Sequence, residues 1–208
     1  MPCNVICISH ADGAGGRQVG KLVAERLGYR YVDEEIVARA AAKGGISPAD
    51  VADEEQRKSA LVRLVRELGR GVATESYGFP GPVGPASTAP APDAVRSLIQ
   101  DAIAETASTG KVVIVAHAAA RALSGKTGVL RVLVSASPET RAGRVAEAQE
   151  LELKDAKRAI ADADAARADY LRRFYDVRSE QPADYDLVVN TDGLTFERAV
   201  ELVALAAT

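Results

Sequence analysis

Tryptophan is absent from this 208-residue chain and aromatics make up only 4% of it, so a core has to be built from Val, Leu, Ile and Ala. Cysteine is nearly as scarce. Cys3 and Cys7 are the only two; four residues apart on a strand they lie about 13 Å from each other, too far for a disulfide. Their spacing is neither a redox pair nor half a zinc site, so they read as core thiols. His10 and His117, the only histidines, are too few for a histidine-based metal centre. No run approaches the roughly 18 apolar residues of a membrane span, and the N-terminus lacks a signal-peptide pattern. The expectation is a cytoplasmic protein without a membrane partner. A basic surplus is missing too: a net charge of −3 with mixed signs excludes a general nucleic-acid binder. At this length the chain builds one domain more readily than two.

What is present begins at residues 4–33. An apolar run, Asn4-Val5-Ile6-Cys7-Ile8-Ser9, reads as a strand and empties into Asp12-Gly13-Ala14-Gly15-Gly16-Arg17. Val19, Leu22, Val23 and Leu27 then recur at helical spacing until Gly28 stops the pattern. A short strand, Tyr29-Arg30-Tyr31-Val32, ends on Asp33. Strand, glycine loop and helix in that order make an anion site, because loop and helix-start amides converge where the helix dipole favours negative charge. Two motifs compete for it. The dinucleotide fingerprint finds Gly13, Gly15 and a well-spaced Asp33, but Gln18 in place of its last glycine. The nucleoside-triphosphate loop aligns with Ala11, Gly16, Arg17 and Gln18, so its Lys and hydroxyl are both absent. A third reading is a loop that merely turns a strand into a helix.

Further along, Asp33 is a plausible N-cap for a helix over Glu34-Glu35-Ile36-Val37-Ala38-Arg39-Ala40, broken by Lys43-Gly44-Gly45. Ser47-Pro48 opens another helix, striped by Leu61, Leu64, Val65 and Leu68. Residues 78–92 are too rich in Pro, Gly and Ala for a helix or an inner strand. They read either as a surface loop or as a lid or partner-binding strap. Val95, Leu98, Ile99, Ala102 and Ile103 return to helix, closed at Thr109-Gly110. Lys111-Val112-Val113-Ile114-Val115 and Val129-Leu130-Arg131-Val132-Leu133-Val134 are continuous runs of the kind expected of parallel strands covered on both faces. Ser137-Pro138 caps a helix, Tyr185 to Asn190 is the last strand, and Thr195 to Ala207 is the closing helix. Strands alternating with helices predict an α/β domain with a parallel sheet.

The run from Ser9 through Asp33 resembles the cytidylate-kinase-like branch of the nucleoside monophosphate kinases, a branch that carries Gly-Gly-Arg where cytidylate kinases have Gly-Lys-Gly-Thr. Ser135-Ala136-Ser137-Pro138-Glu139-Thr140-Arg141-Ala142-Gly143-Arg144 is similar to the strand-to-lid junction of such kinases, Asp164-Ala165-Ala166-Arg167 to their acceptor-binding pair, and Asn190-Thr191-Asp192-Gly193-Leu194 to the loop near the donor base. The resemblance implies a three-layer P-loop nucleotide kinase fold with a five-stranded parallel sheet flanked by helices. It makes residues 1–208 a single domain, with 34–94 as the acceptor-binding or insert region and 138–180 as the lid region. It implies phosphoryl transfer from ATP, with Mg2+, to a CMP-like nucleoside monophosphate or another small acceptor. Gly13, Ala14, Gly15, Gly16, Arg17 and Gln18 would hold the donor phosphates. Arg17, Arg141 and Arg144 would neutralise the moving group, since phosphoryl transfer needs positioned cations. Asp33, Arg39, His117, Asp164 and Arg167 would hold the acceptor. Ion-pair and helix-cap roles stand beside these for the same residues. His10 and His117 both stand where the family has arginine, and histidine offers neither a fixed charge nor a fork. No carboxylate ends the third strand as a magnesium anchor, for which Asp12 or Asp33 would have to substitute. An inactive relative that binds nucleotide, or a partner through the Pro-rich loop, is therefore the alternative. A dinucleotide-dependent oxidoreductase is disfavoured by Gln18 and the Arg-bearing segments.

Overall fold

The computed structural model describes residues 3–33, 35–45, 92–116, 119–177 and 180–208. His117, most of the Pro-rich loop and the helix expected after Ser47 fall outside them. Strand β1 (Val5–His10) runs through the middle of a five-stranded sheet with β2 (Arg30–Val32), β3 (Val112–Val115), β4 (Val129–Ser135) and β5 (Leu187–Asn190). The order is β2-β3-β1-β4-β5, and every pairing is parallel. Parallel neighbours require crossovers. These are supplied by α1 (Gly16–Leu27), α2 (Glu35–Gly44), α3 (Pro92–Ser108), the short α4 (Ala119–Ala122), α5 (Pro138–Gln149) and α6 (Leu153–Tyr175), while α7 (Phe196–Ala207) follows the last strand.

The alternation of side chains along each strand sorts the core into two layers. Ile6, Ile8, Val113, Val115, Val132 and Val134 point to the face covered by α1 and α7, meeting Val19, Val23, Val200 and Val203. Val5, Cys7, Val112 and Ile114 point the other way, onto Ile36 and Ala40 of α2 and Ile99, Ala102 and Ile103 of α3. The Cys7 thiol is fully buried there, which pushes its pKa up to about 12 and leaves it inert. β1 and β3 are thus buried on both faces, as their unbroken apolar runs predict.

β4 departs from that expectation: buried and half-buried residues alternate along its whole length. Its α7-facing side is covered, whereas its other side carries Arg131 beside the edge strand β5. Arg131 closes a bidentate pair with Asp186, Nε to Oδ2 at 3.0 Å and Nη2 to Oδ1 at 2.7 Å. That clamp occupies the start of the predicted last strand, so ladder pairing begins only at Leu187. Pro92 is likewise the first residue of α3 and not the end of the preceding loop, since a first-turn proline forfeits no helical hydrogen bond. Gly28, in the left-handed region at φ 66°, ends α1 as predicted. Ser137 accepts the Thr140 amide at the start of α5, and Thr195 accepts that of Arg198 at the start of α7.

Ile8 is completely buried at the centre of the sheet. Ile8→Val is expected to cost about 0.5–1.5 kcal/mol and Ile8→Ala about 2–5 kcal/mol, read as a shift in the urea midpoint at constant slope.

Candidate active site

The β1–α1 loop leaves the sheet at its C-terminal edge and enters α1 without a side-chain cap: Gly15 occupies the N-cap position at φ 83°, ψ 14°. The first-turn amides of α1 have no capping side chain to take them. Glycine is required at the turn by space as well as by φ. A Cβ on Gly15 would stand 2.3 Å from the Phe196 ring, and one on Gly16 2.3 Å from the His10 Cβ.

Four carbonyls around this loop are tied down from outside. His10 O accepts from Arg167 Nη1 at 3.0 Å and Asp12 O from Arg141 Nη1 at 3.2 Å. Gly13 O accepts from Arg144 Nη1 at 3.3 Å, and Ala14 O from the Thr191 hydroxyl at 2.9 Å. All peptide bonds described here are trans, so each tethered carbonyl directs the amide of its own peptide unit the opposite way. The Gly13 and Gly15 amides are oriented by the Asp12 and Ala14 carbonyls. The Ala14 amide closes the turn onto Ala11 O at 3.0 Å.

The arginines that hold the loop are themselves held. Arg141, 4% exposed, meets Asp164 with both nitrogens of its fork at 2.9 and 2.6 Å. Arg144 also reaches Thr191 Oγ1 at 2.9 Å and Thr191 O at 2.6 Å, with its guanidinium 5.1 Å above the Phe196 ring. Arg167 forks onto Glu180, Nε to Oε2 at 2.8 Å and Nη2 to Oε1 at 2.9 Å, and the Tyr185 hydroxyl donates to the same carboxylate. Asp164 and Arg167, three apart on α6, therefore have separate partners instead of pairing with one another. Arg17, more than half exposed, brings its Nε to 3.4 Å from Asp33, which also accepts from the Tyr31 hydroxyl at 3.2 Å. The Asp33 carboxylate thus faces the loop side chain. Arg39 lies on α2 with its side chain outside the described residues, as His117 does altogether. Between β4 and α6 a cavity of about 250 Å³ has Arg141, Asp164, Arg167 and Glu180 as its polar wall and Leu133 and Leu171 on its apolar side.

Two groups at the site, His10 and Glu180, have their pKa shifted downward. Burial keeps the His10 imidazole, set against Ala11 O at 3.1 Å, below its ordinary 6.5 and hence neutral. Burial alone would raise the Glu180 carboxyl; the Arg167 hydrogen bonds and charge outweigh it and hold the group below its ordinary 4.5. Among the described residues no group of three or more His, Cys, Asp or Glu is arranged to hold a metal.

Glu180, Tyr185, Thr191 and Phe196 escape a reading of residue spacing. Glu180 lies beyond the end of α6, so no helical period connects it to Arg167, and Thr191 acts through a hydroxyl aimed at a main-chain atom.

Two outcomes follow from these contacts. Gly16→Ala is expected to lose about 1–3 kcal/mol by overpacking against His10, measured by thermal melting. Both protonation shifts are downward, so the unfolded chain binds more protons and stability falls on acidification. The His10 contribution is lost below pH 6.5 and that of Glu180 below 4.5. Glu180→Gln should lower stability at neutral pH, by stranding buried Arg167, and flatten the limb below pH 4.5 in melts run across pH.

Comparison with solved structures gives the fold independently. An uncharacterized protein from Eubacterium ventriosum superposes with a TM-score of 0.65 at 15% identity, over 98% of this chain and 97% of that one. TT1252 from Thermus thermophilus gives 0.52 at 18% identity over the whole of both chains. Shikimate kinase from Bacteroides thetaiotaomicron gives 0.50 at 16% identity, over 97% and 96%. No curated protein matches. The five-stranded parallel sheet flanked by helices is that of the shikimate kinase-like P-loop kinases. The model of the cytidylate kinase-like family matches residues 5–193, nearly the whole span over which these strands, loop and arginines are assembled, and the chain belongs to that family.

Proposed function

We propose that the chain binds the polyphosphate of ATP in the loop Gly13, Ala14, Gly15, Gly16, Arg17 and Gln18, against the amides of all but Ala14, whose own amide closes the turn, and transfers the terminal phosphoryl group to a small acceptor, a CMP-like nucleoside monophosphate being the first candidate. One observation carries the reading: the loop's carbonyls are fastened outward by Arg141, Arg144, Arg167 and Thr191, which leaves its amides as the electropositive side. An acceptor oxygen attacks the terminal phosphorus, the bond to the bridging oxygen breaks, and ADP leaves with the electron pair. Arg17 stands at the lysine position of the triphosphate loop, on an exposed side chain able to follow the phosphoryl group. Asp33, Arg39 and His117 are assigned to the acceptor, with residues 34–94 forming its side of the cleft and 138–180 the lid. Magnesium would arrive with the nucleotide phosphates.

A second reading, a nucleotide binder of low catalytic power, draws on a separate observation. The forks of Arg141 and Arg167 already hold Asp164 and Glu180, so an acceptor anion has to displace a carboxylate before either arginine can serve it.

The two readings separate in one assay, magnesium-dependent ADP release from ATP with a panel of nucleoside monophosphates. Acceptor-dependent release is expected. Arg17→Ala should weaken ATP binding by about 1.5–3 kcal/mol, the range for a hydrogen bond to a charged group, in calorimetric titration. ATP binding without release for any acceptor supports the second reading, and absence of ATP binding overturns both.

A further inference from the structure

The loop between β5 and α7 makes a contact that phosphoryl chemistry alone does not require. Thr191 is completely buried. Its amide donates to Ser135 O at 2.8 Å and its carbonyl accepts from Arg144 at 2.6 Å, so its main chain is fixed to the end of β4 and to α5. The side chain is then aimed at the phosphate loop. The hydroxyl accepts from Arg144 Nη1 at 2.9 Å and donates to Ala14 O at 2.9 Å, a shorter contact than the 3.3 Å to Ser135 O. With Arg144 supplying the incoming proton, the single hydroxyl proton is directed onward to Ala14.

That carbonyl belongs to a peptide unit that glycine leaves free to invert, as it does the Asp12–Gly13 unit, whose oxygen Arg141 holds. A peptide flip rotates ψ of the preceding residue and φ of the following one. The following residue is Gly15 at φ 83°, ψ 14°, and glycine occupies the positive and negative φ regions with equal ease. A flip would carry the Ala14 oxygen to the inner side and withdraw the Gly15 amide from it. An oxygen there repels an anion where a donor would bind it. The neighbouring unit has less freedom, because the Ala14 amide is engaged to Ala11 O.

We propose that Thr191 is a positioning residue for the phosphate loop: through its hydroxyl bond to Ala14 O it holds the Ala14–Gly15 peptide in the orientation that presents the Gly15 amide to a bound polyphosphate. The inference rests on the phosphate-loop reading above, and adds to it a residue outside the loop on which the loop's donor geometry depends. Arg144 keeps the hydroxyl proton turned toward Ala14, which gives that arginine a role independent of any contact with a moving phosphoryl group.

The test uses the full chain with Thr191→Val, which keeps shape and loses the hydroxyl, Thr191→Ala, and Thr191→Ser, which restores it. Inorganic tripolyphosphate and ATP are titrated calorimetrically, thermal midpoints are recorded, and crystal structures report the Ala14–Gly15 peptide. Thr191→Val and Thr191→Ala are expected to weaken both ligands roughly tenfold, the worth of about one hydrogen bond. Thr191→Ser should return affinity to within about threefold. The peptide should be turned or mixed in Val and Ala and wild-type in Ser. Unchanged affinity in Val overturns the proposal, as does a peptide still in its wild-type orientation in both Val and Ala. Failure of both to fold assigns Thr191 to stability and overturns it too. If the wild-type chain itself binds neither ligand, the phosphate-loop reading falls, while the peptide orientation in the variants still decides the lock.

Discussion

A trans peptide sends its carbonyl and its amide in opposite directions, so a loop can present donors on one side only if its acceptors are engaged on the other. The β1–α1 turn meets that condition with donors from distant parts of the chain: Arg141 and Arg144 on α5, Arg167 on α6 and Thr191 after β5. These elements have to be docked before the loop has a defined polarity. Asp192 ties them further, taking the Ser137 amide at the start of α5 with both carboxylate oxygens at 2.9 and 3.1 Å. The one-sided polarity of the turn is thus a property of the closed C-terminal edge of the sheet as much as of its glycines.

Placing several guanidinium groups close to buried main chain creates an electrostatic problem of its own. A buried charge without a counter-charge is strongly unfavourable, whereas a pair with good fork geometry recovers much of the desolvation penalty. The chain answers with bidentate carboxylates, Asp164 for Arg141 and Glu180 for Arg167. Tyr185 adds a donor to Glu180, and burial together with that hydrogen bond pushes the Tyr185 pKa up to about 12, keeping the phenol a donor. The guanidinium groups that hold the loop are thereby already engaged by carboxylates. Arg17 is more exposed than these and is paired with Asp33.

Much of the frame was legible before any coordinates. Gly28, Ser137 and Thr195 mark helix ends because capping is local chemistry, settled within a few residues. The uninterrupted apolar runs of β1 and β3 announce strands buried on both faces. β4 looked the same, yet its second face carries Arg131, and its period-two burial emerges only beside Asp186, 55 residues away. The site divides along the same line. The glycine turn and the presence of Arg141, Arg144, Asp164 and Arg167 could be read from spacing and resemblance. Their partners could not, since helical spacing places Asp164 beside Arg167 whereas packing gives each a different counter-ion.

The order of elements, the positive end of the helix dipole at the start of α1 and the glycine stop at its other end follow from the residues alone, because each depends on covalent geometry and near neighbours. Which guanidinium meets which carboxylate, which way the Ala14 carbonyl turns and where Thr191 directs its proton were decided by tertiary structure. The carboxylate pairs span 23 and 13 residues, whereas the bonds to the loop carbonyls join side chains to main chain more than a hundred residues away. Only the docking of α5, α6 and the β5–α7 loop on one sheet edge brings them within hydrogen-bonding distance.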